Sequence, residues 1–171
     1  MNSPTDNAID KVTTLTFDIF GTVLDLAGSL IPPLKELLIR TEANPAITGE
    51  AVWAHWRQRQ RIEQYQDNLL MLGHSGYLAV KRRALIYTLR SYKIDFASGQ
   101  IDEFMKSYQE LSPFQDALDG LFRLKRKYKL VMLSNGEQWY LEHLADNQIG
   151  IGFQEIISAQ SVGQFKPHPD L

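Results

Sequence analysis

The chain contains no cysteine in its 171 residues, which excludes disulfides and thiolate chemistry. It has no apolar run near the roughly 18 residues that a membrane helix needs. The polar start, Met1 to Lys11, has no apolar centre of the signal-peptide kind. There is no basic excess either. Lys and Arg number 18 against 20 Asp and Glu, for a formal net charge of −2, whereas nucleic-acid-binding domains carry a basic patch. Repeats and low-complexity tracts are absent. The histidines at 55, 74, 143 and 168 show no metal-ligand spacing and read as incidental. These absences predict a cytoplasmic protein with no nucleic-acid or membrane partner.

What is present is ordinary globular composition, 44% hydrophobic and 22% charged, at a length suited to one domain with an inserted subdomain. Residues 1–10 read as a flexible arm. Val12 to Phe17 is β-branched and aromatic, a strand signal, and it ends at Asp18, with Gly21 breaking the pattern. Residues 29–112 read as helical. Pro32-Pro33 can open a first helix, Asn44-Pro45 stops it, a second spans about 50–70, and Gly73 and Gly76 mark a turn. Tyr77, Val80, Ala84, Leu85 and Thr88 fall at helical spacing, as do Ile101, Phe104, Met105 and Tyr108.

Ser112-Pro113-Phe114-Gln115 reads as a capping box with proline at the first helical position. That helix runs to Lys125-Arg126-Lys127, a basic end facing the negative pole of the helix dipole rather than a phosphate patch. A strand over Leu130–Leu133, a helix through Tyr140, Leu141 and Leu144, and a strand at Ile156-Ile157 follow. Strand, then helix–strand–helix–strand, is a doubly wound, Rossmann-like α/β pattern. The tryptophans at 53, 56 and 139 read as packing residues.

In such sheets ligands sit beyond the carboxyl ends of the strands. Asp18 and Ser134-Asn135 stand at two strand ends, and Lys166 follows the third. A carboxylate can attack an electrophilic carbon and form an ester. A neighbouring ammonium keeps it ionised, and hydroxyl and amide groups orient an anionic substrate. Asp25 reads as structural, in the turn after the first strand.

Three segments resemble the ordered motifs of the haloacid dehalogenase superfamily: Phe17-Asp18-Ile19-Phe20-Gly21-Thr22-Val23-Leu24-Asp25, Leu133-Ser134-Asn135-Gly136 and Phe165-Lys166-Pro167. The resemblance implies an α/β core over 11–28 and 113–171 with a helical cap inserted over 29–112. Phosphatase members carry a second aspartate two residues after the nucleophile. Here that residue is Phe20, which resembles the L-2-haloacid dehalogenase branch. Trp56-Arg57-Gln58-Arg59-Gln60 is similar to that branch's cap segment, and Ser112-Pro113-Phe114 to its hinge.

The roles implied are Asp18 as nucleophile, Thr22 and Lys166 as holders of its carboxylate, Ser134 as ligand of the substrate carboxylate, and Arg57 and Asn135 as receivers of the halide, with Phe20 in the substrate pocket. The implied activity is hydrolysis of short 2-haloacids to 2-hydroxyacids without a cofactor. Mg²⁺ enters only under a phosphatase-like alternative. A second alternative is a non-catalytic relative. The family's fourth motif has no counterpart before Leu171, so the core is expected to be incomplete at its C-terminus and the strand bearing Asp18 to lie on an exposed edge. The resemblance also leaves room for a homodimer.

Overall fold

The backbone hydrogen bonds of three short strands organise the structure, a computed structural model that describes residues 11–171. The arm expected over residues 1–10 lies outside the described residues. Strands β1 (Thr14–Phe17), β2 (Lys129–Ser134) and β3 (Glu155–Ser158) form one parallel sheet in the order β1-β2-β3. The register pairs Phe17 with Met132 and Ser134 with Ser158, so the three carboxyl ends lie on one side. β2 is central, and its Leu130, Val131 and Met132 are all buried, as expected for a parallel strand covered on both faces. Among the described residues β1 pairs only with β2. Its Thr14 and Thr16 are exposed while Leu15 and Phe17 are half-buried, so the expected edge position is observed.

Helix α1 (Leu26–Arg40) starts earlier than Pro32-Pro33 suggests, and both prolines lie inside it. The reason is Asp25, whose carboxylate accepts from the Gly28 N–H at 2.9 Å and caps the helix well ahead of Pro32. The prolines forfeit two intrahelical donors, while burial of Leu26, Leu30, Leu34, Leu37 and Leu38 holds the helix in place. The structural role expected of Asp25 is thus observed. Helix α2 (Gly49–Leu69) is capped by Thr48, and α3 (Tyr77–Ser91) follows Gly73 and Gly76, whose φ values of 77° and 96° suit glycine. α4 (Ser98–Met105) continues as a 3₁₀ turn, Lys106–Glu110.

The capping box expected at Ser112 is not formed. Helix α5 (Gln115–Lys125) begins after Phe114 with no side-chain cap. Ser112–Phe114 instead runs against the segment after β1. Asp25 N donates to Ser112 O at 2.8 Å, Phe114 N to Val23 O at 2.9 Å, and Ser112 N to Ser29 Oγ at 2.9 Å. These tertiary partners satisfy the backbone that a local cap would otherwise serve. The basic run does close α5 as expected. Helix α6 (Gln138–Leu144) joins β2 to β3.

Trp56 is fully buried, its indole N–H donating to Lys81 O at 2.9 Å. Trp139, expected to pack inside, is 56% exposed. Among the described residues no helix is long and apolar enough to cross a membrane.

Candidate active site

Asp18 directly follows the last residue of β1, where the chain leaves the sheet and turns at Gly21 with φ 88°. The turn closes through Gly21 N to Leu24 O at 3.0 Å and Leu24 N to Ile19 O at 2.9 Å. It carries Thr22 back towards the carboxylate, and Thr22 Oγ1 donates to Asp18 Oδ2 at 3.1 Å. The other carboxylate oxygen, Oδ1, accepts from Lys166 Nζ at 2.8 Å. That ammonium also donates to Leu133 O at 2.7 Å, which ties it to β2. Residues 18 and 22, one turn apart, and the sequence-distant Lys166 therefore meet at the carboxyl end of the sheet. The Asp18 side chain remains 43% exposed, so a ligand can reach it.

The backbone around Lys166 is held by two asparagines. Asn135 Oδ1 accepts from Lys166 N at 2.6 Å. Asn68, at the end of α2, brackets the preceding residue: its Nδ2 donates to Phe165 O at 2.8 Å and its Oδ1 accepts from Phe165 N at 3.1 Å. The Phe165 ring is fully buried and lies 4.0 Å from the imidazole of His74. His74 Nε2 is 2.8 Å from Asn135 O. His74 is thus not the incidental residue expected from spacing, although among the described residues no group of three or more His, Asp or Glu can hold a metal. The amide of Asn135, expected to face a halide, spends its oxygen on Lys166.

Ser134 ends β2 and is fully buried, its Oγ without a hydrogen-bond partner. Phe20 stacks on Tyr77 at 4.2 Å between ring centres and lies 5.8 Å from Tyr140. Gly136 makes that packing possible. A Cβ there would stand 2.7 Å from a Leu141 methyl carbon and 3.2 Å from the Phe20 ring.

Arg57 projects from α2, half-buried, with Nη1 donating to Gln60 Oε1 at 2.8 Å and the guanidinium 5.6 Å from the Trp53 ring. It is not part of a uniform solvated arginine face. Arg59 turns to Glu63 at 2.6 Å and lies over Tyr87, while Arg61 is exposed.

Residues to which composition and spacing gave no site role complete the site. Lys81 is 2% exposed, with Nζ 4.1 Å from the centre of the Tyr77 ring. Burial, and then the charge of Arg57, push its ammonium well below the usual lysine range, and Glu137 works in the opposite direction. Burial also pushes the hydroxyls of Tyr77, Tyr108 and Tyr140 up, so all three stay protonated. Glu137 Oε1 accepts from Leu78 N at 3.3 Å, and its Oε2 is buried without a partner. The available signal was Lys81 itself, a lysine four residues after Tyr77 and three before Ala84 on an apolar helical stripe.

Several known proteins share this arrangement of chain. The (S)-2-haloacid dehalogenase 4A of Burkholderia cepacia is 29% identical over 165 residues, covering 95% of this chain and 68% of that protein. The (S)-2-haloacid dehalogenase of Xanthobacter autotrophicus is 29% identical over 160 residues, covering 93% of this chain and 59% of that one. The chain thus spans roughly three fifths to two thirds of the length of these curated relatives. A solved structure of the L-2-haloacid dehalogenase from Xanthobacter autotrophicus, with chloropropionic acid covalently bound, superposes with a TM-score of 0.76 at 27% identity, covering 93% of this chain and 61% of that one. The sequence profile of the haloacid dehalogenase-like hydrolases matches residues 12–171, nearly all that the structure describes, and the chain belongs to that family.

Proposed function

We propose that the chain carries the chemistry of a 2-haloacid dehalogenase, with residues 11–28 and 113–171 as the core and 29–112 as the cap. One Asp18 oxygen attacks C2 of a short 2-haloacid. The new C–O bond forms as the carbon–halogen bond breaks, and the halide leaves with the bonding pair. Water then adds to the carboxyl carbon of the aspartyl ester, releasing the 2-hydroxyacid and a proton and restoring Asp18. Lys166 and Thr22 hold and aim the carboxylate. Ser134 takes the substrate carboxylate, and Arg57 and the Asn135 amide receive the halide, whose charge develops only as the bond breaks.

The observation that carries this reading is Phe20. Two residues after the nucleophile, its ring is packed on Tyr77 and Tyr140. It can neither protonate a leaving group nor bind Mg²⁺, and a halide leaving group needs no proton. The activities for which the relatives are named and the chloropropionic acid covalently bound in a similar solved structure support the same substrate class.

The test is intact mass of the folded chain after incubation with L-2-chloropropionate and a chelator, alongside halide release. An adduct mapping to Asp18, or halide release that Asp18→Asn abolishes, is the expected result. Strict dependence on Mg²⁺ would refute the reading. We further propose a homodimer, supported by the exposed run Leu69, Leu70, Met71 and Leu72 at the end of α2. Sedimentation at equilibrium tests it, and a monomer at micromolar concentration would count against it.

A further inference from the structure

Tyr77 is a buried tyrosine with an unanswered hydroxyl. It is 2% exposed, and its Oη has no hydrogen-bond partner. Buried tyrosine hydroxyls ordinarily find a partner, and leaving one unsatisfied destabilises the fold. The ring has no freedom to turn away. Phe20 stacks on it at 4.2 Å with the planes 15° apart, and Lys81 Nζ lies 4.1 Å from its centre. The hydroxyl is therefore fixed in place, within the electrostatic reach of both Asp18 and Arg57.

A second orphan sits beside the same arginine. Arg57 Nη1 donates to Gln60 Oε1 at 2.8 Å, which fixes which end of that amide is oxygen. The outer nitrogen, Gln60 Nε2, is then a buried donor with no acceptor, on a residue only 1% exposed. Two further N–H or O–H donors, both buried and both unpaired, thus belong to residues that adjoin or feel one guanidinium. Tyr108 lies beside Gln60, and its hydroxyl feels the same arginine. Donors left without acceptors in a dry, positively charged setting match an anion, which carries no hydrogen of its own.

Resting on the function proposed above, we propose that Tyr77 Oη and Gln60 Nε2 complete an anion pocket with Arg57 and donate to the departing halide. The ligand is a monovalent halide ion. Arg57 supplies the charge, and the two neutral donors supply direction. Because the ring of Tyr77 is pinned on Phe20, two residues after the nucleophile, the pocket is set relative to Asp18 without rearrangement.

Tyr77→Phe separates this role from a structural one. The hydroxyl makes no bond within the protein, so its removal should raise the melting temperature of the ligand-free chain by a few degrees. A group that served the fold would lower it. Bromide affinity, from thermal shift in sodium bromide at constant ionic strength, should fall about tenfold, the loss expected for one hydrogen bond to a charged partner. Affinity for L-lactate, which presents a carboxylate and no halide, should hold.

Unchanged bromide affinity in Tyr77→Phe overturns the proposal, as does a parent chain that binds no bromide. Loss of lactate binding with bromide binding intact overturns the halide assignment. Halide release absent from a parent chain that binds bromide through Tyr77 would sink the dehalogenase reading alone. Release present, with bromide binding indifferent to Tyr77, would sink this inference alone.

Discussion

Removing the Asn68 amide should loosen Lys166 without touching it. Asn68 makes two hydrogen bonds to the backbone of Phe165, at 2.8 and 3.1 Å, and Phe165 is 0% exposed. In Asn68→Ala both backbone groups lose their partner in a place water reaches poorly. At about 1–3 kcal/mol for each orphaned buried group, and allowing for some relaxation, the loss is about 3 kcal/mol. For a chain of this size that lowers the melting temperature by roughly 6–12 °C.

Asn68→Asp sharpens the argument. Its carboxylate still accepts from Phe165 N but sets a negative oxygen against Phe165 O, which raises the folded-state pKa of the new acid. A raised carboxyl pKa contributes stability at low pH that is lost as pH rises through the folded value. Asn68→Asp should therefore gain on Asn68→Ala as the solution is acidified and fall behind it at neutral pH. Thermal denaturation of the three chains across pH 4–8, a range set roughly by carboxylate titration, is the assay. Because Lys166 follows Phe165, halide release should drop by about ten- to a hundredfold with KM little changed, since Lys166 holds Asp18 rather than substrate. A melting temperature for Asn68→Ala within about 1 °C of the parent, well inside the shift worked above, would refute the clamp.

Three further outcomes follow from burial. The hydroxyls of Tyr77, Tyr108 and Tyr140 are all raised above the ordinary tyrosine value of about 10, chiefly by burial. Their contribution to stability is complete below pH 10 and is lost above it, where the unfolded chain ionises first; a melting temperature flat from pH 9 to about 11 would contradict this. Lys81, lowered by burial, runs the other way: the unfolded chain holds its proton up to about pH 10.4, so its burial is unfavourable at neutral pH and relieved towards alkali. Lys81→Met should raise the melting temperature at pH 7 and flatten its climb towards pH 10, and a large loss at pH 7 would show that the ammonium is stabilised by contacts stronger than the Tyr77 ring. Gly136→Ala forces a Cβ to 2.7 Å from Leu141 and 3.2 Å from Phe20. It should cost about 1–3 kcal/mol in chemical denaturation, and an unchanged midpoint would mean that Leu141 yields freely.

What the sequence determined by itself is local. β-branched runs made strands, 3.6-residue apolar spacing made helices, and polar residues at strand ends marked where chemistry could sit. Asp18 and Lys166 were legible because a parallel sheet sends its carboxyl ends to one side, whereas Thr22 came only with the family resemblance. Where reading failed, a distant partner had replaced a local signal. Ser112 looked like a helix cap, yet its backbone is taken by Asp25 and Ser29. Pro32-Pro33 looked like a helix start, yet Asp25 caps the helix earlier and its leucines are buried.

The tertiary structure alone decided the second ring of the site. Asn68 reaches across 97 residues to Phe165, and His74 across 61 to Asn135. Neither carries a pattern that spacing can detect, because a single side-chain amide or imidazole acquires its meaning only from the backbone that folding brings against it. The same holds for Tyr77 and Gln60. A tyrosine and a glutamine on helical faces are unremarkable in sequence, and only the fold shows that Tyr77 Oη and Gln60 Nε2 are buried with nothing to bond.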